Sequence, residues 1–418
     1  MYGRERRRGG APVTFTDAPS RLPALASRTD QLADSAVGAV LRLTDGHDVI
    51  ALAAGSPAPE TYCHQEFTDA TTRLLSQGGL PLRYGDASGL PELRSWIAAR
   101  ESAELGRPVD AAQVLLTHGS QQGLDLLCKA LLDPGDVVFV DRPSYVGALQ
   151  VFRLFQARVV DLPLGSDEGL DRLEAALSVE ERAKIIYVVP TFANPTGATL
   201  DTAHRRRLAA LAQRYGCVLV EDDPYRDLGY DTVAPRPAAA TSTVAGAVRM
   251  GTFSKVLFPA ARLGHLILPP FLTDVLMKFK QAADLGNSLL MQQVVHQLVQ
   301  EPGFLATRLE HARHLYRKRR DALVSALAGS FEGALEFEVP HGGFFVWARL
   351  PGGADATALL AAAVEEGVSF VPGTDFYATG PDPSTLRLSF SCTRAEDIVE
   401  GVARLERAWQ TLRTGPRS

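Results

Sequence analysis

The amino-acid sequence predicts an α/β protein: a seven-stranded, mostly parallel sheet between helices, followed by a smaller α+β domain. Three observations carry that expectation. Seven short apolar runs follow one another between residues 114 and 269, the signature of strands buried on both faces. Amphipathic stretches separate several of them, as a wound sheet requires. Beyond residue 290 the pattern changes to a long helix followed by alternating and apolar runs of mixed kind.

In chain order, residues 1 to about 25 are rich in Arg, Gly and Pro without periodicity and read as a loose arm. A short helix is expected over Ser35–Leu43, so residues 1–45 form an arm and a helix. The large domain is expected over residues 46–290. Its strand candidates are VLLTHG from Val114, VVFVD from Val137, RVVDL from Arg158, KIIYVVP from Lys184, CVLVED from Cys217, VRMGTF from Val248 and GHLILP from Gly264. Helices are predicted over Gln121–Leu132 and Ala203–Tyr215, the latter with Leu208, Leu211 and Ala212 on one face. The Pro-rich Ala234–Ala240 reads as a surface loop. The small domain, residues 291–418, holds a long Arg-rich helix (Glu301–Leu327) and an alternating stretch (Leu335–Val339). After these come GGFFVWARLP, a helix (Ala356–Glu366), VSFVP, LRLSFS and a closing helix (Ala395–Leu412).

Composition narrows the function classes. With 46% hydrophobic and 22% charged residues the chain is globular rather than disordered or fibrous. A net charge of -5, from 43 basic and 48 acidic residues, gives no general field for nucleic acid or anionic membrane. No window approaches 18 uninterrupted apolar residues, and the Arg4–Arg8 cluster is not followed by an apolar stretch of the secretory type. Cys63, Cys128, Cys217 and Cys392 are far apart, which suits neither a disulfide framework nor a zinc site and fits a reducing cytoplasm. Lysine is scarce: Lys129, Lys184, Lys255, Lys278, Lys280 and Lys318 are all there are.

Ligands of open α/β sheets collect beyond the carboxyl ends of the strands, so the residues following each run matter most. After VLLTH comes Gly119-Ser120-Gln121 at a helix start, where free N–H groups and the helix dipole suit a phosphate, although Ser there is also ordinary capping. After KIIYVVP comes Asn194-Pro195-Thr196-Gly197, a plain turn by its chemistry, with an amide able to donate to a ligand. After CVLV stand Glu221, Asp222 and Asp223, followed by Pro224 and Tyr225. These are either a solvated acidic loop or buried carboxylates that need a cation or a protonated base. No histidines stand nearby to support a metal site. After VRMG come Thr252, Ser254 and Lys255, with Arg262 seven positions on: hydroxyls and a guanidinium for a phosphate, and an amine free for covalent work. One cofactor, pyridoxal 5'-phosphate (PLP), makes joint sense of all four segments.

From Ile50 to Leu405 the chain resembles the class I/II aminotransferases of fold type I, in particular the branch of 2-aminoadipate and kynurenine aminotransferases. The resemblance rests on AAGSPAPE at Ala53, RYGDASGLPELR at Arg83, THGSQQGLDLL at Thr117, DRPSYVGAL at Asp141, TFANPTG at Thr191, EDDPY at Glu221, TFSKVLFPAARLGH at Thr252, KQAADL at Lys280, GGFFVW at Gly342 and LRLSFS at Leu386. It implies a PLP-dependent transfer of the α-amino group of an L-amino acid to a 2-oxo acid. Lys255 would form the internal aldimine and move the Cα proton, and Asp222 would face the pyridine nitrogen. Asn194 and Tyr225 would meet the phenolic oxygen, and Tyr145 would cover the ring. Gly119, Ser120, Gln121, Thr252, Ser254 and Arg262 would hold the phosphate. Tyr84 would reach it from the second chain of a homodimer. Arg387 would grip the substrate α-carboxylate with Asn194 and the backbone at Gly55.

Three departures lie near the expected substrate face: Ser35-Ala36-Val37-Gly38 where relatives often carry an arginine, Ala193 where they carry Gln, and Ala54-Gly55 for a Gly-Gly pair. They weaken the case for a dicarboxylic side chain, though Arg28 could substitute from the arm, and point to specialised amino-acid metabolism. The alternative within the same scaffold is elimination, decarboxylation, cyclisation or oxidation of an amino acid. A DNA-binding regulator built on this scaffold would need a longer domain ahead of the body than about 45 residues.

Overall fold

The computed structural model describes residues 24–31, 36–43, 48–76, 82–240 and 246–414. The strands, in chain order, begin with β1 (Ile50–Ala51), β2 (Val114–Thr117), β3 (Val137–Asp141) and β4 (Arg158–Leu162). Next come β5 (Ala183–Val188), β6 (Val218–Asp222), β7 (Ala247–Thr252) and β8 (Gly264–Ile267). All seven apolar runs are therefore strands, and they form one sheet in the order β2-β8-β7-β6-β5-β3-β4. The neighbours from β7 through β4 pair in parallel, while β8 runs antiparallel to both β2 and β7.

Period-2 alternation divides the buried side chains between the two faces. Val137, Phe139, Ile186, Val188 and Leu219 pack with Leu173 and Leu208 of the helices Asp167–Leu177 and Thr202–Arg214. Val138, Val140, Ile185, Tyr187 and Val220 enter the larger core on the other side. Each fully buried strand residue of this size stabilises by about 1.5–3 kcal/mol, so two covered faces fix the register firmly.

The C-terminal part is built on β9 (Glu336–Phe337), β10 (Phe345–Arg349), β11 (Val368–Ser369), β12 (Val371–Pro372) and β13 (Thr385–Ser389). An antiparallel sheet orders them β12-β13-β10-β9, with the helices Phe304–Ala328 and Ala395–Thr414 packed together beside it. β1 pairs in parallel with β11, so Ile50 and Ala51 join the C-terminal part although they lie far ahead of it in sequence.

Several local expectations change. The helix expected from Glu301 begins at Phe304, because Pro302 and Gly303, the latter at φ 79°, interrupt it. The helix expected from Gln121 begins at Gly119, which brings Ser120 and Gln121 into its first turn. The Pro-rich segment is not all surface: Ala238 and Ala239 are buried. Residues 1–23 of the arm, with its Arg4–Arg8 cluster, and Ser35 at the start of the short helix lie outside the described residues; the helix is Ala36–Leu43. Among the described residues no helix is long and apolar enough to cross a membrane.

Candidate active site

A cavity of about 350 Å³ opens at the carboxyl ends of β5, β6 and β7 and the start of the helix Gly119–Leu131. Thirteen of the fourteen residues singled out in the sequence line it: Gly55, Gly119, Ser120, Gln121, Tyr145, Asn194, Asp222, Tyr225, Thr252, Ser254, Lys255, Arg262 and Arg387. Tyr84 does not; its side chain stands 86% exposed on the surface of the chain. Arg28 is also exposed and outside the cavity lining.

One end of the cavity is an anion cup. Gly119 sits at φ 72°, and a Cβ there would approach Arg262 Nη2 to 3.0 Å, so glycine is needed both for the turn and for the guanidinium beside it. Arg262 donates from Nη2 to the His118 carbonyl at 3.1 Å, which pins the cation over the first turn of the helix. Gln121 donates to the Gly147 carbonyl at 3.0 Å and braces the same turn. Ser254 Oγ is buried without a hydrogen-bond partner among the described residues. A helix N-terminus, two hydroxyls and a guanidinium are the groups able to hold a phosphate.

Lys255 follows β7 and donates from Nζ to the Gly55 carbonyl at 2.9 Å. A side chain at Gly55 would collide with Phe345, its Cβ 2.8 Å from Cζ, so the carbonyl reaches the amine only on a glycine. Burial, then the nearby Arg387 cation, pull the Lys255 amine down to about 8. A useful neutral fraction therefore exists at neutral pH.

The three carboxylates after CVLV are all buried, and each is treated differently. Glu221 points to the opposite sheet face from Asp222, as alternation dictates, and accepts from the backbone N–H groups of Ala238 and Ala239 at 2.8 and 3.1 Å. Asp223 accepts from Arg249 Nη1 at 2.9 Å; Arg249 Nε in turn donates to Glu101 at 2.6 Å. Asp222 accepts at Oδ2 from the Tyr187 hydroxyl at 2.8 Å, while Oδ1 is buried with no partner. Burial pushes the Asp222 carboxyl up to about 7, against the Tyr187 hydrogen bond and with the help of the Asp223 charge.

Arg387 comes from the middle of β13 and is 2% exposed. Nη1 donates to Asn194 Oδ1 at 2.9 Å and Nη2 to the Ala53 carbonyl at 2.7 Å, while Nε is buried and unpartnered. Its guanidinium lies 4.3 Å from the Phe345 ring centroid. Among the described residues its hydrogen-bond partners are an amide oxygen and a carbonyl rather than a carboxylate, and burial lowers its pKa to about 10. A buried cation without a counter-ion is costly unless an anion arrives.

These features fit pyridoxal 5'-phosphate: a cup for the phosphate, an amine short of full protonation for the aldehyde, and an unpartnered carboxylate oxygen for the pyridine nitrogen. Sequence reading missed Tyr187, Phe345 and Val189, since a tyrosine or valine inside an apolar strand looks like any core residue. It also missed the Glu101–Arg249–Asp223 cluster, which assembles from three separate elements.

The sequence pattern of aminotransferase class I and II matches residues 47–405. A 2-aminoadipate transaminase of Thermus thermophilus is 40% identical over 385 residues, covering 90% of this chain and 94% of that protein. The crystal structure of an alpha-aminoadipate aminotransferase of Thermus thermophilus, complexed with N-(5'-phosphopyridoxyl)-L-leucine, superposes with a TM-score of 0.85 at 37% identity, covering 93% of this chain and 98% of that one. A kynurenine aminotransferase of Pyrococcus horikoshii does so with a TM-score of 0.87 at 32% identity, over 93% and 97% of the two chains.

Proposed function

The chain belongs to the class I and II aminotransferases, and on that premise we propose how its residues move the α-amino group of an L-amino acid to a 2-oxo acid. The cofactor is pyridoxal 5'-phosphate, which when bound supplies a carbonyl for the amino group and a conjugated ring that stabilises negative charge at the substrate Cα. Gly119, Ser120, Gln121, Thr252, Ser254 and Arg262 hold the phosphate. Tyr145, ahead of the helix Val146–Leu154, covers the ring, and Asn194 and Tyr225 meet its phenolic oxygen. Asp222 offers Oδ1 to the pyridine nitrogen and keeps positive charge there.

Arg387, aided by Asn194 and the backbone at Gly55, receives the substrate α-carboxylate. A carboxylate there satisfies both the unpaired cation and its unpartnered Nε. Lys255, as a neutral amine, takes the Cα proton and returns it, its position set by the Gly55 carbonyl.

In the same reading residues 46–290 form the cofactor-binding domain and 291–418 a smaller domain that brings Arg387 to the cavity; residues 1–45 form the arm and short helix. The working unit is a homodimer in which Tyr84 completes the phosphate cup of the second chain. Support comes from the exposure of Leu82, Tyr84 and Leu285. They lie on adjoining segments, since a Cβ on Gly286 would meet the Asp86 carbonyl at 3.2 Å. The four cysteines are free thiols, in keeping with the cytoplasm.

One observation carries the reading: an amine, a carboxylate oxygen without a partner and a guanidinium without a counter-ion converge on a single cavity. The test is a single-turnover absorbance screen of the PLP-loaded chain against L-amino acids, with product mass spectrometry. At least one amino acid should bleach the visible band and yield one equivalent of its 2-oxo acid without ammonia. No spectral response to any amino acid would overturn the assignment, and ammonia release would move it to elimination or oxidation.

A further inference from the structure

Resting on the reading just given, we infer that Tyr187 is the positioning residue of Asp222: its hydroxyl occupies one carboxylate oxygen and turns the other toward the cofactor nitrogen. Tyr187 sits in β5 opposite Val220 of β6, two residues before Asp222, on the sheet face that Asp222 shares. Its side chain is fully buried, and its hydroxyl meets Asp222 Oδ2 at 2.8 Å. A phenol has one proton to donate, and here it goes to the carboxylate. The remaining oxygen, Oδ1, has no partner among the described residues although Asp222 lines the cavity.

The ring of Tyr187 is itself held. Phe152 meets it edge to face, ring centroids 5.6 Å apart and planes at 75°. Phe152 belongs to the helix Val146–Leu154, whose first turn follows directly on Tyr145. One rigid helix thus fixes the residue proposed to cover the cofactor and the residue that aims its carboxylate partner. Rotation of the Asp222 carboxyl group would break this hydrogen bond in a buried site, so the orientation is set before any ligand arrives.

The test is Tyr187→Phe, which keeps the ring and its packing and removes only the hydroxyl, studied alone and in an Asp222→Asn background. Pyridoxal phosphate is titrated into the cofactor-free chain and followed by absorbance, and the steady-state kinetics of the loaded enzyme are recorded. In the wild-type background the cofactor dissociation constant should rise about tenfold or more. The kcat should fall about tenfold while KM for the amino donor stays within about twofold, a split that general loosening would not give. In the Asp222→Asn background the same substitution should change cofactor affinity less than about twofold. Equal losses in both backgrounds, or wild-type behaviour of Tyr187→Phe, would overturn the inference alone. A wild-type chain that binds no pyridoxal phosphate would overturn the underlying reading as well.

Discussion

Asp222 and Asp223 are neighbours in the chain and both almost sealed from water, yet their electrostatic surroundings are opposite. Asp223 belongs to a closed cluster. Arg249 bridges it to Glu101, Arg226 Nη1 lies 3.8 Å away, and His265 Nε2 is 3.5 Å from Glu101. Burial alone would raise the Glu101 carboxyl, but Arg249 and His265 bring it down to about 2, so it stays ionised. Asp222 has a hydroxyl on one oxygen, and its own pKa moves the other way. Each of the two aspartates leaves an Oδ1 unpartnered, so the difference lies in the cation and not in a count of hydrogen bonds. The cluster pairs its charges within one chain, whereas Asp222 and the Arg387 guanidinium form no ion pair among the described residues. On the proposed function, structural charge is paired inside the chain and charge kept for chemistry is not.

The contrast breaks most visibly at Lys255. On the proposed function, Lys255→Ala should lower amino-group transfer by about a thousandfold or more, measured by single-turnover kinetics, because it removes the amine assigned there to move the Cα proton. The cofactor-free chain should unfold at the same denaturant concentration or higher, since a costly buried amine is gone. Arg249→Ala should do the reverse. It strands Glu101 and Asp223 in a dry cluster, at a cost of about 3–5 kcal/mol read from the urea midpoint.

Asp222→Asn sharpens the comparison. The folded-state pKa of Asp222 is raised, to about 7, so its contribution to stability is complete below the ordinary carboxylate value and is lost as pH rises through about 7. In the cofactor-free state the Asn variant should therefore gain on the wild type as pH increases over that window, while binding the cofactor more weakly. A gap that narrows with rising pH would mean that Asp222 has a compensating cation after all.

How much of this was legible in the sequence follows the same division. The seven apolar runs became the seven strands because two-sided burial writes itself as a local pattern. The gathering of Lys255, Asp222 and Asn194 at one cavity was legible because strand ends are where an open sheet exposes its ligands. Arg249 and Glu101 were not: they lie 148 positions apart, and only the pairing of β6 with β7 brings Arg249 beside the strand that ends at Asp222. The antiparallel run of β8 and the pairing of β1 with β11 were equally silent, since strand direction leaves no mark on apolar periodicity. The acidic triplet was legible as a problem in burial, but its three different answers depend on Ala238, Tyr187 and Arg249, each delivered by another element.

Arg387 separates binding from stability. On the proposed function, Arg387→Gln should lower kcat/KM by about a hundredfold, with amino acids as donors, through loss of the paired charge-assisted hydrogen bonds assigned to the α-carboxylate. Unlike Arg249→Ala it should leave the unfolding midpoint of the cofactor-free chain unchanged or higher, because no buried carboxylate loses its counter-ion. A fall comparable to that of Arg249→Ala would place Arg387 in the structural class.

The smallest expected effect is also the most specific. The Lys255 amine is lowered to about 8 by burial first and by Arg387 second, so its neutral, reactive fraction grows as pH rises through that value. Capture of pyridoxal phosphate by the cofactor-free chain, followed by stopped-flow absorbance, should therefore accelerate about tenfold between pH 7 and pH 9 and then level off. A lysine with the ordinary value would accelerate about a hundredfold over the same interval without levelling. In Arg387→Gln the repelling cation is gone, and the bend should move to higher pH. If it stays in place, burial alone sets the amine and the cavity's two cations are not coupled.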